Sequence, residues 1–289
     1  MTAIQEKAYA KLNISLDVTR RREDGYHDMV MVMQSVSLCD DVTITREEGD
    51  RIRASSNLAF IPSDQRNLAV RAAMTFLEAI GQSGQGLHIR LDKRVPVGAG
   101  MAGGSSDAAA VLRGLNRMYG GPLDRRQLEE LACKVGSDVA FCVAGGTALA
   151  RGRGEILEDL SPMPDCFFVI AKPAFSISTP ELFQKLDEKP LRRHPDTAGL
   201  VQAVEQGELT ELCRRLYNVF EEVPDRRMRT VREIKNRLLD HGALGAIMTG
   251  TGSAVFGVFP ERESAETACQ ALEKEQAFCC VARPVARLL

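Results

Sequence analysis

The chain has 289 residues, 44% of them hydrophobic and 26% charged, with a formal net charge of −2. That length suits one large domain or two ordinary ones, and the composition is that of a soluble globular protein. The balanced charge offers no electrostatic hold on nucleic acid or an anionic membrane, and no stretch approaches the ~20 apolar residues of a spanning helix.

Charged and polar residues interrupt the N-terminal "MTAIQEKAYAKLNISL", a poor secretion signal, so a cytoplasmic protein is expected. The eight cysteines are scattered without a C-x-x-C pair and read as small hydrophobes of a reduced compartment. The three arginines of "TRRRED" (19–24) meet two acids in what reads as a solvated turn.

The first 60 residues read as strands. In "AYAKLNISLDV" (8–18), Ala8, Ala10, Leu12, Ile14, Leu16 and Val18 alternate with polar residues, so one face is apolar and Lys11 and Asn13 project from the other. The turn "RRREDGYH" precedes two further strands, "MVMVMQSVSL" and "DDVTITRE", an antiparallel opening. "NLAVRAAMTFLEAI" (67–80) has helical spacing and stops before Gly81. "GLHIRLDKRV" (86–95) alternates again and leads into the glycine-rich "VPVGAGMAGGSS". Ala108, Val111, Leu112 and Leu115 mark the helix that follows. Ser105 or Ser106 is placed to cap it, with Asp107 near the positive end of its dipole. Asp124 caps the next helix, "RRQLEELACKV". "GSDVAFCVAGGTALARGRGE" reads as a short helix from Asp138 and a returning strand. "FFVIAKP" opens a second half with helices over 198–217 and 225–241, and a second glycine-punctuated passage at 242–259. The break at Pro162 and Pro164 divides the chain into 1–158 and 159–289.

The glycine loop is the most informative feature. Gly98-x-Gly100-x-x-Gly103 also fits a dinucleotide fingerprint, but that fold requires a second strand ending in an acid about 20 residues on. Asp124 stands near that distance, yet no strand fits between the helix and it. A P-loop is excluded because no lysine follows Gly103 or Gly104. What remains is an anion site: glycines let backbone approach a ligand, and the amides at the start of the next helix face negative charge. A plain strand-to-helix turn needs only one or two glycines, and this loop has four in seven residues.

"PVGAGMAGGSSDAA" resembles the phosphate-loop signature of the GHMP kinases, again after a strand and before a long helix. "KAYAKLNISLDV", "DGYH", "RNLAVRAA", "KVGSDVAFC", "GGTALARGRGE", "KPAFSISTPELF" and "TGTGSAVFGVF" extend the resemblance over essentially the whole chain. They narrow it to a branch whose alcohol substrate carries a cytidine head group. The one departure is Met101-Ala102, where many relatives have Leu-Gly.

The resemblance implies an α+β, two-domain fold: a ribosomal-protein-S5-domain-2-like N-terminal half and a ferredoxin-like C-terminal half. It implies transfer of the γ-phosphoryl of ATP to a substrate hydroxyl, with magnesium as the accompanying ion and a monomer or homodimer as the working form. Catalysis falls to Lys11 and Asp138. ATP is assigned to Pro96, Val97, Gly98, Ala99, Gly100, Met101, Ala102, Gly103, Gly104, Ser105 and Ser106, with Asn67 and Lys93 on the nucleoside side. Tyr26 and Phe183 are expected to sandwich the cytosine, His27 to bond its edge, and Asn13 and Thr179 to add polar contacts. Gly250, Gly252 and Ser253 shape the pocket from the second half. The metal ligands stay unassigned, Ser106 being the one candidate. Taken without the resemblance, Lys11 is a solvated strand lysine, Asp138 a helix N-cap, Tyr26 and His27 surface residues, and Phe183 a core residue. Three other readings compete: a kinase of the mevalonate or homoserine type, an NAD-dependent oxidoreductase, and a non-catalytic RNA-binding module, against which the balanced charge argues.

Overall fold

The computed structural model describes residues 2–188 and 191–289. Alternating apolar residues draw the N-terminus into a long antiparallel hairpin of β1 (Ala3–Arg21) and β2 (His27–Glu47). The two strands expected after the turn are thus one. β3 (Ile52–Ser56), β4 (Gly86–Asp92), β5 (Thr147–Gly152), β6 (Ile156–Asp159) and β8 (Tyr217–Asn218) complete a seven-stranded sheet with the order β3-β4-β2-β1-β8. β5 pairs with the first part of β2, residues 29–34, and β6 with β5. Helices α1 (Leu68–Ala79), α2 (Gly103–Met118), α3 (Arg125–Val135) and α4 (Val139–Ala144) pack together, with α2 against β1 and β2. Asp124 caps α3 as expected, in a reciprocal capping box with Gln127.

The second half runs through β7 (Phe167–Lys172), α5 (Thr179–Asp187), α6 (Thr197–Glu205), α7 (Leu209–Arg214), a 3₁₀ turn over Val219–Glu222, α8 (Met228–Asp240), β9 (Gly245–Met248), β10 (Val255–Phe259), α9 (Arg262–Glu273) and β11 (Phe278–Ala282). Its four strands pair antiparallel in the order β11-β7-β10-β9, a ferredoxin-like arrangement. The helix expected over 198–217 is two, α6 and α7, separated at Gly207.

β1 departs from its simple alternation. Register shifts between Tyr9 and Lys11 and between Asn13 and Ser15 mark irregularities that re-aim side chains. Ala8, Leu16 and Val18 join the core that includes α1 to α4, whereas Ala10, Leu12 and Ile14 join a second core with Phe168, Ile170 and Phe256 of the second sheet. Both faces of β1 are covered, so Lys11 (4% exposed) and Asn13 (0%) are buried, not solvated. A buried polar pair on a central strand points to a function for it.

Candidate active site

Between the halves lies a cavity of about 490 Å³. Its wall includes every residue from Pro96 to Ser105, together with Lys11, Asn67, Lys93, Asp107, Asp138, Thr179, Phe183, Gly250 and Gly252. Residues far apart in sequence therefore meet in one cavity. Asn13, Tyr26, His27, Ser106 and Ser253 are not part of this wall.

The loop's carbonyls are anchored in protein. Met101 O accepts from Lys11 N at 3.2 Å, Ala99 O from Ala254 N at 3.2 Å, and Gly100 O from the Thr249 hydroxyl at 3.3 Å. Among the described residues, none of the amides from Val97 to Ser105 donates a backbone hydrogen bond outside the helix. A run of unpaired amides leading into the positive end of α2 is an anion cradle.

The helix start differs from expectation. α2 begins at Gly103, and its N-cap is Ala102, with no side-chain cap bond. The Ser106 hydroxyl instead donates back to Gly103 O at 2.9 Å. Ala102 has φ 57°, the one left-handed non-glycine among the described residues. Alanine therefore adopts there a conformation that glycine takes more easily, at a cost of roughly 1–2 kcal/mol. Met101 is buried in the core between the sheets.

Gly100 packs directly against the second glycine passage. At its φ of +77°, a Cβ would lie 2.2 Å from Thr249 O. One at Gly250 would lie 2.8 Å from Gly100 O. The two glycine passages thus touch backbone to backbone, and Asn218 fixes the second by donating to Met248 O and Gly250 O at 2.7 and 2.8 Å.

Beneath the loop lies an ion cluster that sequence reasoning missed. Lys93 bridges Asp40 and Asp107, the latter at 2.6 Å, and also donates to Gly103 O at 3.2 Å. Asp40 further accepts the amides of Arg94 and Val95. Burial works against the charge on Lys93, but the two carboxylates outweigh it and raise its pKa. Burial also pushes the Asp107 carboxyl up to about 7; Lys93 opposes this and Asp40 adds to it. The Lys93 side chain therefore ties β2, the end of β4 and the start of α2 together at the loop. Asn67 is likewise engaged, capping α1 through Ala69 N at 3.0 Å and donating to Pro62 O at 2.9 Å. No signal local to residue 40 or 107 marked this cluster.

Asp138 occupies the N-cap position of α4, yet its side chain makes no cap hydrogen bond. Lys11 Nζ donates to Asn13 Oδ1 at 2.5 Å, and among the described residues it forms no direct ion pair with Asp138. Both charges nevertheless act on Cys142 in α4. Burial pushes its thiol up to about 12, with Asp138 adding to the shift and Lys11 opposing it.

The aromatic residues are arranged differently from the expected sandwich. His27 stacks on Phe183 with centroids 4.6 Å apart, and its Nε2 lies 2.7 Å from Asp187 Oδ1. Phe183 meets Phe220 edge-on at 4.9 Å. Tyr26 is 54% exposed, and the Arg153 guanidinium lies 4.0 Å from its ring centroid. The Thr179 hydroxyl is 2.8 Å from that of Thr251, linking α5 to the second glycine passage.

An anion cradle opposite an uncapped carboxylate and a buried lysine, on this pair of sheets, defines a small-molecule phosphotransferase. The family model described as the GHMP kinases N terminal domain matches residues 67–146, and that of the GHMP kinases C terminal region matches residues 200–277. The chain is 44% identical over 272 residues to the 4-diphosphocytidyl-2-C-methyl-D-erythritol kinase of Alkaliphilus metalliredigens, covering 94% of this chain and 93% of that one. It is 45% identical over 255 residues to the Bacillus subtilis kinase of the same name, covering 88% of each. A crystal structure of 4-(cytidine 5'-diphospho)-2C-methyl-D-erythritol kinase superposes with a TM-score of 0.80 at 32% identity, over 97% of this chain and 99% of that one. The homoserine kinase of Cytophaga hutchinsonii (TM-score 0.79, 20% identity, 99% and 96% covered) shares the fold. The chain belongs to the GHMP kinases and, within them, to the 4-diphosphocytidyl-2-C-methyl-D-erythritol kinase family.

Proposed function

We propose that this kinase transfers the γ-phosphoryl of ATP to the 2-hydroxyl of 4-diphosphocytidyl-2-C-methyl-D-erythritol, a step towards isoprenoid precursors. The observation that carries the phosphoryl-transfer reading is the loop of unpaired amides facing a cavity shared with Lys11 and Asp138. Phosphoryl transfer depends on positioning and charge stabilisation, with little covalent work for the protein. The amides from Val97 to Ser105 hold the triphosphate, and the Lys93 cluster keeps that loop rigid. The Asp138 carboxylate, free of a cap bond, orients the hydroxyl and accepts its proton. Lys11, fixed by Asn13, offsets charge developing on the transferred group. Residues up to 158 supply this machinery. The remainder supplies Thr179, Phe183 and the second glycine passage. The cytosine lies near Tyr26 and Phe183, and His27, whose Nε2 faces Asp187, offers Nδ1 to the base edge.

Magnesium fits as an ion carried by the phosphates. Among the described residues no three His, Cys, Asp or Glu side chains form a cage. Asp107 Oδ1, buried without a hydrogen-bond partner, is the side-chain oxygen that would hold it, directly or through water. Bound there, the ion would neutralise charge on phosphate oxygens.

The test is Asp138→Ala. It should lower kcat by at least ~100-fold while ATP and substrate still bind. Near-wild-type turnover by the folded variant would remove Asp138 from the chemistry.

A further inference from the structure

Arg153 stands in the turn between β5 and β6, and among the described residues it has no carboxylate partner within ion-pair distance. Asp24, whose charge it influences, is already paired with Arg22. Two contacts place its guanidinium. One end donates to the Ser137 hydroxyl at 3.3 Å, one residue before Asp138. Its face covers the Tyr26 ring at 4.0 Å. The backbone on either side is fixed as well. The Arg153 amide donates to Glu155 Oε2 at 2.6 Å, and a Cβ at Gly154 would approach Asp138 Oδ1 to 3.9 Å. The turn therefore abuts the proposed base on one side and the proposed base-stacking ring on the other.

This inference rests on the reading above, in which the cytosine lies at Tyr26 and the reacting hydroxyl at Asp138. A substrate spanning those two points must carry its diphosphate past the guanidinium between them. We propose that Arg153 is the contact for the substrate's diphosphate, held in the free enzyme on the face of Tyr26 and anchored by Ser137. A guanidinium is suited to this role because its fork of donors matches phosphate oxygens and its charge is permanent. An exposed cation–π contact is weak, so leaving the ring for a doubly charged ligand is easily offset. Arg153 would thus distinguish a cytidine diphosphate ester from alcohols that carry no diphosphate.

The experiment compares the full-length wild type, Arg153→Ala and Arg153→Lys in steady-state kinetics, with cytidine and CDP as inhibitors competitive with the alcohol substrate. In the wild type CDP should inhibit more tightly than cytidine. Arg153→Ala should raise the substrate KM roughly 10- to 100-fold and bring the two inhibitors close together. The KM for ATP, which also reports an intact fold, should stay within a factor of about three, and Arg153→Lys should recover part of the discrimination. Unchanged CDP-over-cytidine preference in Arg153→Ala would overturn the inference, as would a loss confined to kcat, which would place the residue behind Ser137 and Asp138. If neither cytidine nor CDP competes in the wild type, the cytidine reading itself fails and this inference with it.

Discussion

Gly100 and Gly104 lie four residues apart, one in the loop and one in the first turn of α2, and the structure gives them opposite tolerances for a methyl group. At Gly100 an added Cβ would lie 2.2 Å from Thr249 O and 3.1 Å from Gly252 N, at a φ of +77°. Both obstacles are backbone, so relief requires the second glycine passage to move. Overpacking of this kind costs about 1–3 kcal/mol, and the left-handed conformation adds about 1–2 kcal/mol for a residue with a Cβ. The stiffer unfolded chain returns about 0.4–1 kcal/mol. Gly100→Ala should therefore lose roughly 2–4 kcal/mol, or about 4–8 °C in Tm for a chain of this size. At Gly104, inside α2, a Cβ would meet only Leu68 Cδ1, at an ordinary 3.8 Å. Alanine there should be neutral or gain about 0.5–1 kcal/mol from helix propensity. Thermal and urea unfolding of both variants without nucleotide reads this difference directly. Equal stabilities, or a loss at Gly104 as large as that at Gly100, would refute the backbone-to-backbone contact between the two passages.

Further outcomes follow from buried charge. Lys93→Met strands Asp40 and Asp107 in the interior and should cost about 3–5 kcal/mol, seen as a fall in Tm along with a higher KM for ATP. A rise in that KM at unchanged Tm would make Lys93 a simple nucleotide contact. Asp225 is buried between Arg227 and Lys185, and the Arg227 guanidinium above all holds its carboxyl below the usual range. A depressed folded pKa gives stability that is present above about pH 4 and lost as pH falls through the folded value. Asp225→Asn should thus cost about 1.5–3 kcal/mol at pH 7, and urea midpoints of variant and wild type should converge below pH 4. A constant gap from pH 7 to pH 2 would contradict the assignment.

Much of the fold was legible because its signals are local. The alternation in β1, the capping residue at Asp124 and the glycines before α2 each act within a few residues. The glycine-rich loop was readable for the same reason. What escaped depends on partners far away in sequence. The register shifts that divide β1 between two cores arise from its pairing with β2, so Lys11 and Asn13 could not be seen to be buried. The Ala102 cap was hidden because serine is the better cap by propensity, and the loop's geometry overrides it. The Asp40–Lys93–Asp107 cluster joins three segments, and the rest position of Arg153 on Tyr26 joins two turns over a hundred residues apart. The His27–Phe183 stack joins residues more than 150 positions apart and is set by how α5 packs on the hairpin, so no local signal pointed to it.

The choice of alcohol separates this kinase from others that share its fold. A phosphoryl-transfer assay with ATP and magnesium, offering 4-diphosphocytidyl-2-C-methyl-D-erythritol, mevalonate and homoserine at equal concentration, tests it most directly. The cytidine diphosphate ester should be phosphorylated with the highest kcat/KM, and CDP should suppress its turnover competitively. Preferential phosphorylation of mevalonate or homoserine, untouched by CDP, would contradict it.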